Sequence, residues 1–321
     1  MQKTYDVKPG FSKPTERIKK LKNAILDSEP RIEVERARLI TESYKQTKSL
    51  PNILRRAKGF EKIMHELPVV IRDNELIVGT ATIKSRACQI FPEFGPQGLD
   101  KEFDTVSTRS ADPFQISPEV KSELKDIFKW WKGQSCSEYA TSLMDAKTLQ
   151  AYNAGVFTVG NYHQGGVGHL AVDYEKVLKK GLNGVMQEIL DAMNSADHGA
   201  PEWIAHEQFY KAALISIQAV IDFAHCYSDK AKEMAASTTD PKRKAELEKI
   251  SQICAKVPAQ PAGNFYEAVQ SFWFIQLVMQ IESSGHSISP GRFDQYMDPF
   301  YRKRRKYYSG SSSGTSWLPL C

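Results

Sequence analysis

The sequence predicts a mainly α-helical α/β chain with short strands. Apolar residues recur at helical spacing over most of its 321 residues. Helix-start residues stand just ahead of several of these stretches, and the period switches to something strand-like only in brief segments.

The elements follow in order. Pro14-Thr15-Glu16 opens a helix whose apolar stripe is Ile18, Leu21 and Ile25. A second helix is predicted over about 33–46 and a third over 53–65. Val69-Val70-Ile71 and Leu76-Ile77-Val78 flank Arg72-Asp73-Asn74-Glu75, which predicts a short hairpin with Asp-Asn at its tip. Residues 80–118 are rich in Pro and Gly and read as loop, and 119–132 return to helix with Leu124, Ile127, Phe128 and Trp131 on one side. Phe157-Thr158-Val159 is β-prone, and the glycines after it break any helix. Helices resume over 174–194 and 201–236. Asp240-Pro241 supplies an N-cap and a proline at the first helical position. Asn264 and Glu267 form a cap signature for a last helix, 265–282. That helix is apolar nearly all round, so it belongs inside a larger body.

Composition excludes several classes. With 43 basic and 38 acidic residues the net charge is +5, too small and too dispersed for a nucleic-acid footprint. No apolar run reaches the length of a membrane span, and the N-terminus lacks a signal-peptide core. Cys88, Cys136, Cys226, Cys254 and Cys321 form no C-x-x-C pair, which points to a reducing cytoplasm without a disulfide framework or iron–sulfur site. Cys136, Cys226 and Cys254 read as small core residues. The seven histidines lack metal-ligand spacing, so no metal site is expected. His65, His198, His206 and His225 read as surface or structural. The basic run 302–306 reads as a solvated chain end, and 307–321 have no helical or strand period.

Two clusters could carry chemistry. One is the glycine-rich stretch Gly160 to His169. It lacks the G-x-G-x-x-G and Walker patterns, which argues against nucleotide binding. By its residues alone, His169 fits a structural or a catalytic imidazole. The other is Gly285-His286-Ser287-Ile288-Ser289-Pro290-Gly291-Arg292-Phe293-Asp294, directly after the apolar helix. His286 and Ser287 can each donate to or accept from a hydroxyl. A helix-end turn satisfying its own carbonyls fits these residues too.

With these residues in place, the chain resembles the N-terminal part of the glycyl radical enzymes, the pyruvate formate-lyase-like family. Within it, the chain is most similar to the B12-independent glycerol and propane-1,2-diol dehydratases. The resemblance covers about residues 10–302. It rests on Thr15-Glu16-Arg17-Ile18, Glu35-Arg36-Ala37, Leu54-Arg55-Arg56-Ala57, Ile71 to Gly79, Phe91-Pro92-Glu93-Phe94, Phe157 to Tyr162, Gly166-Val167-Gly168-His169, Phe272-Trp273-Phe274 and Gly285 to Met297.

The resemblance implies a ten-stranded α/β barrel of two half-barrels wrapped by helices, of which this chain would hold the N-terminal helical part and an incomplete half-barrel. It implies one domain part over 1–302 and an unmatched, flexible tail over 303–321. It implies that His169, His286 and Ser287 contact the hydroxyls of a small diol, with His169 also catalytic. The full-length family uses a protein glycyl radical and no B12, is activated by an S-adenosylmethionine and iron–sulfur enzyme, and is expected to be a homodimer. No cysteine of this chain stands in the family's Cys-Val-Glu context. The expectation is therefore a truncated part of a diol dehydratase, inactive by itself. Two other readings stay open: another lyase of the family, such as a formate acetyltransferase or C–N lyase, and a non-catalytic binding or regulatory protein.

Overall fold

The computed structural model describes residues 14–95, 98–158, 165, 166 and 168–309, with side chains to residue 303. Its first half carries α1 (Glu16–Leu26), β1 (Arg31–Glu33), α2 (Glu35–Gln46), α3 (Asn52–Glu66), β2 (Ala87–Gln89), α4 (Leu99–Glu102), α5 (Pro118–Trp131), α6 (Cys136–Ser142) and α7 (Ala146–Asn153). The second half is α8 (Tyr174–Ser195), α9 (Trp203–Ser237), α10 (Pro241–Cys254), α11 (Phe265–Ser283) and α12 (Phe293–Ser309).

The helix starts follow the caps. Thr15 accepts from the Ile18 N–H, Ser117 from Val120 and Asp240 from Lys242. At α11, Asn264 accepts from the Glu267 N–H at 3.1 Å, and the Glu267 carboxylate accepts from the Gly263 N–H at 2.7 Å. Two donors that the helix cannot satisfy are thereby met.

α9 runs along α3 and α10, and the core closes where it meets α11. Phe223 and Tyr227 of α9 and Phe274 of α11 are fully buried, with ring centroids 5.1–6.2 Å apart. Burying one such ring stabilises by about 1.5–3 kcal/mol. Phe274, Ile275, Leu277, Val278 and Ile281 of α11 are all buried, as its all-round apolar pattern requires.

α8 is broken at Gly181, whose φ of 68° is left-handed. The segment after α10 fills the break. Leu182 N donates to Pro258 O, Asn183 N to Ala259 O, and Ala262 N to Leu178 O, at 2.8–3.0 Å. A Cβ at Gly181 would sit 2.4 Å from the Ala259 oxygen, so only glycine allows the insertion.

The expected hairpin over 69–78 is not formed. Its turn exists, with Glu75 N donating to Arg72 O, but neither flank is a strand. Side chains from α11 take the backbone groups that a partner strand would have taken. Gln270 accepts from Val78 N at 2.9 Å and donates to Val78 O at 2.7 Å; Trp273 donates to Gly79 O, and the Tyr266 hydroxyl to Leu76 O. The one sheet among the described residues is instead a parallel pair, β1 with β2, in the register Arg31↔Ala87, Ile32↔Cys88, Glu33↔Gln89.

Other expectations shift as well. Phe157 and Thr158 are not strand, and 159–164 and 167 lie outside the described residues, as do 310–321. Helix α12 continues without a break from 302 to Ser309. Cys254 is buried as expected, but Cys226 is only half-buried and Cys136 is exposed at the first turn of α6. No helix among the described residues is long and apolar enough to cross a membrane.

Candidate functional site

The segment ending in His169 and the segment starting at Ser284 lie side by side. His169 N donates to His286 O at 3.0 Å, and Ser289 N donates to Leu170 O at 2.9 Å. Ala171 and Ser289 form a parallel bridge. The Ser284 hydroxyl donates to Gly165 O. The approach is close at Gly168, where a Cβ would stand 2.1 Å from the His286 carbonyl oxygen. Any larger residue would wedge the two segments apart.

This pairing brings two predicted site residues together. The His169 and His286 rings meet edge to face, with centroids 4.7 Å apart and planes at 83°. His169 is exposed and His286 half-buried, so both imidazoles remain reachable by a solute. Ser287 follows directly and is exposed. His169 (φ 54°), Ser284 (φ 63°) and Ser287 (φ 56°) all hold left-handed backbone, uncommon for residues with a side chain. Such conformations cost of order 1–3 kcal/mol each and cluster where geometry is imposed for function.

Behind the pair stand residues the sequence did not single out for a role. The buried Tyr174 hydroxyl donates to Gln276 Oε1, and Gln276 Nε2 donates to Ile288 O at 3.2 Å. Burial pushes the Tyr174 phenol up to about 12. Nearer the end of α11, Arg36 donates to Ile281 O at 2.6 Å and Glu282 O at 3.2 Å, and Arg56 also donates to Glu282 O. These are last-turn carbonyls without helical partners, met by cations at the negative end of the helix dipole. Both arginines bind Glu93, at 2.5 Å from Arg36 and 3.0 Å from Arg56. Burial alone would raise the Glu93 carboxyl, but Arg36 and Arg56 outweigh it and hold it below its ordinary value. Arg36 also lies over the Phe91 ring, 3.7 Å from its centroid. A signal was present: Gln270 and Gln276 are polar positions in a largely apolar helix, and Glu93 sits between Phe91 and Phe94.

A cavity of about 770 Å³ opens nearby, with Arg55, Arg56, Leu170, Met279, Glu282 and Ser283 in its wall. His169, His286 and Ser287 are not in that wall. Arg56 is committed to Glu93 and Glu282, and this cavity is a different place from the paired imidazoles.

Known proteins share this arrangement of elements. The glycerol-bound form of the B12-independent glycerol dehydratase from Clostridium butyricum superposes with a TM-score of 0.90 at 50% identity, over 92% of this chain and 38% of that one. A structure from Roseburia inulinivorans described for 1,2-propanediol dehydration gives 0.90 at 49% identity, over 94% and 36%. The probable dehydratase YbiW of Escherichia coli (strain K12) is 34% identical over 90% of this chain and 36% of its own length. The chain thus spans little more than a third of these relatives. The pyruvate formate lyase-like family matches residues 13–307, and the chain belongs to that family.

Proposed function

We propose that this chain supplies the substrate-binding His pair of a cytoplasmic glycyl radical lyase that dehydrates a small 1,2-diol, glycerol or propane-1,2-diol, to an aldehyde. One observation carries the reading: His169 and His286, from segments more than a hundred residues apart in the chain, meet at 4.7 Å on an accessible surface. The two 1,2-diol enzymes named above, about half identical to this chain, support it.

A protein glycyl radical, relayed through a cysteine thiyl, supplies hydrogen abstraction from the diol in this family. None of the five cysteines here is followed by Val-Glu, so that step is assigned to no residue of this chain. The residues present have other tasks. Loss of the second hydroxyl as water needs a proton donor beside it, and an imidazole suits that work near neutral pH. His169 takes this role, while His286 and Ser287 hold the diol by its hydroxyls. By the same reading, the whole enzyme is a homodimer activated by an S-adenosylmethionine and iron–sulfur enzyme.

The test is a chimera in which this chain replaces the matching part of the Clostridium butyricum dehydratase, activated anaerobically. A glycyl radical seen by electron paramagnetic resonance reports assembly, and aldehyde formation reports function. We expect both, with His169→Ala and His286→Ala keeping the radical and losing about 10²–10⁴-fold in turnover. A chimera that forms the radical but turns over neither diol would reject the diol reading in favour of another lyase of the family. The 321-residue chain alone should give neither radical nor aldehyde.

A further inference from the structure

We propose that Gln276 is the positioning residue that sets His169 against His286. Its service to diol binding rests on the reading above; the geometric role does not. Gln276 lies in α11, is 8% exposed, and stands between the buried Ile275 and Leu277. A buried amide in such a place is costly unless both its ends are bonded. Here they are, and the two bonds lead to the two segments that carry the histidines. The Gln276 oxygen accepts from Tyr174, five residues after His169 at the start of α8. The Gln276 nitrogen donates to the carbonyl of Ile288, two residues after His286. The same two segments bond directly through His169 N to His286 O and Ser289 N to Leu170 O. One side chain therefore ties both segments of this pairing to the α11 helix.

Both ends of the amide are met in this register: the nitrogen, a donor, by the Ile288 carbonyl, and the oxygen, an acceptor, by the Tyr174 hydroxyl. A slip of the 286–289 segment by one residue would present an N–H, or nothing, where Ile288 O now stands, and would turn His286 away from His169. The aromatic neighbours hold the Tyr174 end: Phe272 and Tyr296 lie 4.8 and 5.8 Å from its ring centroid. Apolar packing alone would accept several registers, because it is not directional.

Gln270 provides the control. It sits on the same helix, is 1% exposed, and likewise uses both ends of its amide, but on Val78. Gln276→Leu and Gln270→Leu should therefore cost comparable stability by leaving buried backbone groups unmet. Only Gln276→Leu should disturb the histidines.

The experiment is nuclear magnetic resonance on the full 321-residue chain. In the wild type we expect a nuclear Overhauser contact between the His169 and His286 rings and slow exchange of the His169 amide. Gln276→Leu should lose the contact and speed that exchange about tenfold, as removal of roughly one hydrogen bond implies. Tyr174→Phe, which removes one hydroxyl and keeps the ring packing, should shift both readouts in the same direction by less. Gln270→Leu should leave both at wild-type values. An unchanged His pair in Gln276→Leu, or equal disturbance in Gln270→Leu, overturns the proposal; so does a wild-type chain without the contact. If Gln276→Leu does not fold, Tyr174→Phe against Gln270→Leu decides. None of these readouts involves a substrate, so failure of the diol reading in the chimera leaves them intact. If that reading holds, Gln276→Leu in the chimera should lower kcat about 100-fold with the radical retained, the effect of misplacing a binding group by roughly 1 Å.

Discussion

Arg36 and Glu93 are joined by two parallel hydrogen bonds, of 2.5 and 3.1 Å, and the Arg36 side chain has no exposed surface. The same guanidinium reaches the last-turn carbonyls of α11, immediately before the segment that carries His286 and Ser287. A forked, planar cation is needed to serve a carboxylate and two carbonyls at once.

Removal of the arginine should therefore be severe. Arg36→Leu leaves Glu93 buried with only Arg56 and takes the donor from Ile281 O at the end of α11. We expect a loss of about 3 kcal/mol or more in urea unfolding. Arg36→Lys should recover little, because a point charge cannot make the same set of bonds. Wild-type stability in Arg36→Lys would show that charge alone suffices.

The pH dependence has a definite sign. Burial works to raise the Glu93 carboxyl, but Arg36 and Arg56 hold it below its ordinary 4.5. A depressed carboxylate contributes stability that is fully present above 4.5 and is lost as pH falls through the lower folded value. Tyr174 acts at the other end: burial raises its phenol from 10 to about 12, so its contribution is complete below pH 10 and is lost as pH rises through about 12. Glu93→Gln should flatten the acid limb of a stability curve, and Tyr174→Phe the alkaline limb. Unaltered limbs would assign the titrations to other groups.

Two glycines should separate local from global effects. At Gly168 a Cβ would meet the His286 oxygen, and at Gly181 the Ala259 and Gln260 backbone. Gly168→Ala should accelerate exchange of the His169 amide with a modest fall in melting temperature. Gly181→Ala also forces a left-handed φ on a side chain, at about 1–2 kcal/mol before any clash. It should lower the melting temperature more and leave the His169 amide protected.

The cap of α11 offers a graded check. Asn264→Ala removes the acceptor for the Glu267 N–H and should cost about 1 kcal/mol. Glu267→Ala should cost more, since that carboxylate also binds Gly263 N and Lys256. The reverse order in chemical denaturation would mean that Lys256 and Gly263 are served by water at no loss.

Most of the helices of this protein can be read from local sequence alone. Periodicity and caps act between residues a few positions apart, so Thr15, Ser117, Asp240 and Asn264 start their helices wherever the chain is placed. The sequence also named His169, His286 and Ser287, through resemblance and not through any local signal, because a histidine beside a glycine fits a turn as well as a site. Tertiary structure decided the rest. The Val69 to Val78 stretch had the pattern of a hairpin, but Gln270, Trp273 and Tyr266 took its backbone groups, and β1 found β2 instead. The meeting of His169 with His286, the clamp of Arg36 and Arg56 on α11, and the bonds of Gln276 all join residues distant along the chain. Local propensity carries no information about such partners; they are chosen when buried polar groups must each find a bond inside one packed core.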